Sequence, residues 1–136
     1  MTVAAGLGIA NFTFDDARGF WKWVDMCDAG GVNSIWQSDR LIAPEDNLEC
    51  MSVMAALAGR TKRIKFGMNV ASLGLRDPVL IAKQCATIDV LSEGRFCRPS
   101  VSAARGPATM SRPTGRPAAV AGAAVRVWRS SHACGV

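Results

Sequence analysis

The sequence predicts an α/β fold built on a parallel sheet, and two observations carry that expectation. The first 96 residues alternate short apolar runs with stretches of helical period, in the order βαβαβα. The links between them are short, and strands joined through helices pair in parallel with right-handed crossovers. Such units by themselves leave open edges, so a doubly wound sheet or a barrel would finish them. A barrel needs eight strands and ~250 residues; this chain has 136.

Each element follows from its residues. Val3 to Ala10 is an apolar run with Gly6 and Gly8, a buried strand by pattern. Gly6-x-Gly8 is no dinucleotide fingerprint, because Asn11 stands at the third glycine position. Thr13 followed by Asp16 resembles a capping signal, and Asp15 and Asp16 suit the positive end of a helix. Phe20, Trp23, Val24 and Cys27 then share one helical face, and Gly30-Gly31 ends it. Val32 to Gln37 is the second strand, with Ser38-Asp39-Arg40 at its C-terminal end.

Pro44 is expected to open the second helix, with Glu45, Asp46 and Glu49 in its first turns and Gly59 closing it. Ile64 to Ala71 is the third strand. Asp77-Pro78 reads as N-cap and first helical residue, and Leu80, Ile81, Gln84, Cys85, Ile88 and Leu91 as the apolar stripe of a third helix. Ser92-Glu93-Gly94 stops it. Trp21, Trp23 and Trp36 are expected to pack rather than to stack on a ligand, and Cys85, on the buried face, to be inert.

The charge divides the chain. Residues 1–96 carry 10 Lys+Arg against 11 acidic residues, whereas residues 97–136 carry six Arg, no Lys and no acid. Nine Ala, five Ser, four Gly and four Pro fill most of the rest of that tail. Domains are therefore expected at 1–96, folded, and 97–136, a low-complexity tail, disordered or irregular, whose composition cannot offset its ordering entropy. The only histidine, His132, lies in the tail and reads as accidental. Without Lys, and with Trp128 the only aromatic, the tail makes a poor nucleic-acid patch.

Several classes drop out. No apolar run approaches the ~20 residues of a membrane span, and the N-terminus lacks a secretory pattern. Five widely spaced Cys, with no Cys-x-x-Cys pair, argue against a disulfide framework and against a zinc site. Reduced thiols predict a cytoplasmic protein without metal.

Residues 32–96 carry a more specific signal. Trp36-Gln37-Ser38-Asp39 follows the second strand as W-x-S-D; AALAGRTKRIKFG (residues 55–67) links a helix to a strand; LRDP (75–78) opens a helix; AKQCATIDVLSEGRF (82–96) continues it. In this order and spacing they resemble the N-terminal part of the bacterial luciferase-like monooxygenase family, which includes FMN enzymes and enzymes of the deazaflavin coenzyme F-420. The resemblance covers about residues 3–96. It implies a partial (β/α)8 TIM barrel of about three βα units, with F-420 or FMN at the C-terminal ends of the strands and a small-molecule substrate. The wording around WQSDR and KFGMNV leans toward the deazaflavin group.

Carried over by position, the resemblance assigns Asp39 to the cofactor pocket. It places Arg40 where many members have His, a cation suited to an anionic group. It makes Asn69-Val70 a non-prolyl cis peptide under the ring, sets Ala71 and Ser72 on the same rim, and adds Asn11 as a weaker match. It assigns no catalytic residue. Phosphate grips in barrels come from loops after strands seven and eight, so part of a ring site is expected here, with weak or absent activity and open edges suited to a second copy. The alternative is a non-catalytic basic protein whose Arg-rich tail contacts anionic polymers.

The tail also fits a coding explanation. Family members continue after the SEGR sequence with something like LLPAFGVG. One codon choice for Phe96 to Ala103, TTC TGC CGG CCT TCG GTG TCG GC, reads LPAFGVG when regrouped from its third base. A base lost near residue 95 would make the remainder an out-of-frame translation.

Overall fold

A computed structural model of the protein describes residues 4–101. His132 and every tail arginine except Arg98 lie outside the described residues. The described elements are β1 (Gly6–Ile9), α1 (Ala17–Ala29), β2 (Ser34–Gln37), α2 (Cys50–Arg60), β3 (Lys65–Ala71), a 3-10 turn (Leu73–Leu75), α3 (Pro78–Leu91) and β4 (Phe96–Val101).

The strands form one sheet in the order β1-β2-β3-β4, every neighbouring pair parallel. A doubly wound sheet reverses its strand order at a switch point; here sequence order and spatial order coincide. Right-handed crossovers then put all three helices on one face, the arrangement of a barrel wall. The sequence reading supplied three strands; β4 is a fourth, and it crosses the boundary drawn at residues 96/97.

Side chains alternate across the strands. Ile35, Phe66 and Phe96 stand in register and join Met68 in one core cluster with Phe20, Val24 and Cys27 of α1, Met54 and Leu57 of α2, and Ile81, Cys85 and Ile88 of α3. The opposite face carries the row Gly8, Trp36, Gly67, Cys97. Gly67 is required there: a Cβ would come within 2.8 Å of the Trp36 ring and 2.9 Å of the Cys97 carbonyl oxygen.

Local signals fared unevenly. The α1 N-cap is Asp16, not Thr13; its carboxylate accepts from Gly19 N at 2.8 Å. Asp77 caps α3 and Pro78 begins it, as expected. The second helix does not open at Pro44. It starts at Cys50, capped by Glu49. A helix from Pro44 would need the Asp46 and Leu48 carbonyls for its own ladder, but Phe12 N takes the first at 2.7 Å and Gln37 Nε2 the second at 2.8 Å. On α3 the buried stripe is Ile81, Cys85 and Ile88. Leu80 and Leu91, expected on it, are 59% and 61% exposed, because they lie roughly 90° round the helix from the stripe.

Candidate functional site

The parallel register brings the C-terminal ends of the strands onto one rim. β1 runs out into Ala10-Asn11, β2 into Ser38-Asp39-Arg40, and β3 ends at Ala71, before Ser72. The Asn69–Val70 peptide is cis, at the position the resemblance assigned. There the β3–β4 ladder shifts register, on both sides of Asn69. Asn69 and Val70 are exposed on the rim, whereas Ala71 is fully buried.

Asp39 lies at the same rim, two residues past the end of β2 and against the turn after β3. Its side chain is 1% exposed. Arg76 donates to both carboxylate oxygens, from Nε to Oδ2 at 3.0 Å and from a terminal nitrogen to Oδ1. Oδ2 also accepts from Ser72 N at 2.9 Å, and the Ser72 hydroxyl donates to the Asp39 carbonyl at 3.0 Å. Both oxygens of the predicted pocket acid are thus engaged in holding the turn after β3.

The same guanidinium reaches a second acid. Its other terminal nitrogen lies 2.8 Å from Glu49 Oε1. Glu49 accepts from Met51 N at 3.1 Å, Ser52 N at 2.8 Å and Ser52 Oγ at 2.7 Å. Partial burial alone would raise the Glu49 pKa. The hydrogen bonds from Ser52, Met51 and Arg76 outweigh it and hold the carboxyl at about 2. The hydrogen bonds to Asp39 do most to hold Arg76 in its charged form.

Arg40 is exposed and leans across the rim, donating to Asn11 Oδ1 at 3.2 Å, with a loose 3.8 Å ion pair to Glu45. Two of the sequence candidates, Arg40 and Asn11, therefore meet each other. Sequence reasoning missed Arg76, Glu49 as a cap, and Gln37. The signal for Arg76 was present in LRDP, where only Asp77-Pro78 was singled out.

The exposed groups suit part of a flat heteroaromatic ring. Val70 offers an apolar contact, Asn69 an amide for a polar edge, and Arg40 a cation for an anionic group. Among the described residues no cluster of His, Cys, Asp and Glu could hold a metal ion. Cys27, Cys50 and Cys85 are buried free thiols, and Cys97 is buried as well. Burial pushes Cys50 up to about 12 and Cys85 to about 11, so neither is a nucleophile near neutral pH. No described helix is long and apolar enough to cross a membrane.

A singly wound parallel sheet with its polar rim at the strand C-termini is the architecture of a (β/α)-barrel enzyme. The luciferase-like monooxygenase family matches residues 2–127; the chain belongs to this family. It is 39% identical over 67 residues to the pyrimidine monooxygenase RutA of Yersinia enterocolitica, a match covering 49% of this chain and 16% of that one. To RutA of Serratia proteamaculans it is 37% identical over 86 residues, covering 63% and 20%. The chain thus spans a fifth or less of the length of these relatives.

Solved structures share the fold. The oxygenating constituent of 3,6-diketocamphane monooxygenase from Pseudomonas putida, a type II Baeyer-Villiger monooxygenase in complex with FMN, superimposes with a TM-score of 0.65 at 23% identity, over 78% of this chain and 31% of that one. The coenzyme F420-dependent tetrahydromethanopterin reductase of Methanopyrus kandleri gives 0.56 at 24% identity, over 71% and 26%.

Proposed function

We propose that the chain forms the opening units of a luciferase-like oxidoreductase barrel that takes reduced FMN or F-420, together with a small organic substrate, at the C-terminal rim. The observation that carries this is the rim itself: Asn69, Val70 and Arg40 stand exposed at adjoining strand ends, beside an engaged Asp39. The bound cofactor would supply the hydride or oxygen chemistry. The residues of this chain would do the positioning. Val70 would offer the ring an apolar contact, Asn69 would offer an amide to a polar edge, and Arg40 with Asn11 would hold an anionic group. Ala71 and Ser72 hold the end of β3 in place, and Asp39 supports the turn.

Phosphate grips come late in a barrel, so the described residues would supply the ring side of the site rather than the grip. Titration of the purified chain with FMN and with F-420, followed by cofactor fluorescence, tests the reading. A saturable change with either supports it. No change with either, in a folded sample, ends it, and tight binding with rapid turnover ends the expectation of weak activity.

The tail remains the domain proposal: residues 97–136 are read as out of frame. The composition break supports this, whereas the family match through residue 127 and the parallel pairing of β4 with β3 count against it. The coding DNA around residue 95 decides it, since an intact frame with no family-like continuation one base away refutes the idea. The charge of that tail favours one second reading, a non-catalytic protein contacting anionic polymers. Nucleic-acid binding with a steep salt slope, lost when residues 102–136 are removed and β4 is kept, would favour it.

A further inference from the structure

We propose that Arg76 is a positioning residue for the C-terminal rim: its guanidinium fixes the β3–α3 turn against β2 and α2, and so sets where Asn69 and Val70 stand. This rests on reading the rim as a cofactor site.

The geometry is a staple with both ends on one carboxylate. At the start of the turn, Ser72 N donates to Asp39 Oδ2 at 2.9 Å. At its end, Arg76 Nε donates to the same oxygen at 3.0 Å, while a terminal nitrogen takes Oδ1. Between them Leu75 N bonds the Ser72 carbonyl at 3.1 Å and Arg76 N the Leu73 carbonyl at 3.2 Å. The remaining terminal nitrogen reaches Glu49 at 2.8 Å, the residue that caps α2. One cation therefore joins the end of β2, the turn after β3 and the start of α2.

Burial makes the link demanding. The Asp39 and Arg76 side chains are 1% and 13% exposed, and a buried carboxylate that loses its partner is left uncompensated. Lysine cannot replace the fork. Its single ammonium offers a point charge, whereas Arg76 spreads three contacts over two acids.

The test compares the full chain with R76Q and R76K by amide hydrogen exchange and by FMN and F-420 titration. In R76Q the Ser72 and Leu75 amides are expected to exchange at least about tenfold faster, with R76K restoring part of the protection. The Lys62, Arg63 and Ile64 amides on the opposite rim should keep their rates. Uniform acceleration at both rims would reduce Arg76 to a contributor to global stability and overturn the proposal. So would unchanged exchange at Ser72.

If R76Q does not fold, D39N/R76Q removes the orphaned buried charge and should still lose protection at Ser72. Where the wild-type chain binds a cofactor, R76K should weaken it at least about tenfold at unchanged opposite-rim exchange; equal affinity would overturn the proposal. If the wild-type chain binds neither cofactor, the functional reading fails while the exchange pattern still decides the role of Arg76.

Discussion

Both rims of the sheet are drawn together by an arginine and an aspartate, yet the two pairs bond to different things. At the N-terminal rim, Asp28 accepts from three consecutive amides, Lys62 N at 2.8 Å, Arg63 N at 2.9 Å and Ile64 N at 2.8 Å. Burial pushes the Asp28 carboxyl up, and these amides bring it below the ordinary range. Arg63 returns the favour, donating to the carbonyls of Cys27, Asp28, Gly30 and Val32. Arg95 adds the Ala58 and Ile64 carbonyls, with its guanidinium over the Phe66 ring. These side chains bond almost wholly to backbone, closing the orphan carbonyls that helices leave at their ends.

The C-terminal rim is tied side chain to side chain, through Asp39, Arg76 and Glu49. It leaves Arg40, Asn69 and Val70 exposed beside the tie. One rim is arranged to hold, the other to hold while presenting groups. That matches the division in barrel enzymes, where chemistry sits at the strand C-termini and the far face serves stability.

The largest expected effect tests the holding rim. Asp28→Ala strips the acceptor from three amides and should cost about 3 kcal/mol, read as a lower midpoint in urea at unchanged slope. Asp28→Asn keeps one acceptor and should cost about half of that. A loss under about 0.5 kcal/mol, the size of an ordinary surface change, would dissolve the contrast between the rims. Between the rims, Gly67→Val drives a side chain into the Trp36 ring and the Cys97 backbone. It should cost about 2 kcal/mol by overpacking, with a shift in tryptophan emission. Unchanged emission would mean that Trp36 does not lie as described.

What the sequence disclosed depended on how far apart the interacting residues stand. Asp77-Pro78 was readable because a cap and its helix are adjacent, and Asp16 misled only in being the cap itself rather than the partner of Thr13. The order of parallel strands followed from alternation, and the cis Asn69–Val70 from resemblance. Arg76 and Asp39 are separated by 37 positions, and no local pattern pairs them. The start of α2 failed for the same reason. Pro44, Glu45 and Asp46 make a good local signal, but Phe12 and Gln37 reach from other strand ends and claim the carbonyls that a helix would need. Local chemistry proposes elements, and distant donors choose among them.

Acid should loosen both rims, because Asp28 and Glu49 are each held below their ordinary range. Glu49 titrates at about 2 in the folded chain against an ordinary 4.5. A depressed carboxylate stabilises fully above its unfolded pKa and loses that contribution as pH falls through the folded one. The C-terminal tie should therefore weaken from about pH 4.5 down to about 2. The Glu49 side chain is 42% exposed, so screening reduces its contribution to about 1 kcal/mol. Glu49→Gln should flatten the corresponding part of the stability curve measured by urea titration between pH 5 and about 2.5. A curve of unchanged slope would show that Glu49 caps α2 without coupling to the pH response.

The smallest effect on stability carries the clearest information about the presenting rim. Arg40 makes one 3.2 Å hydrogen bond to Asn11 and a loose pair to Glu45 at an exposed site. Arg40→Ala should change unfolding free energy by no more than about 0.5 kcal/mol. If its charge faces an anionic group, the affinity for FMN or F-420 should still fall about threefold to tenfold, and the loss should shrink as salt rises. Arg40→His places at this position the residue that the family resemblance associates with it. A histidine there carries charge only below about pH 6.5, so affinity in this variant should decline as pH rises from 5.5 to 7.5, while the wild-type chain stays level. Equal affinity for all three proteins at low salt would remove Arg40 from the site and leave Asn69 and Val70 as the only exposed groups on this rim with a part in recognition.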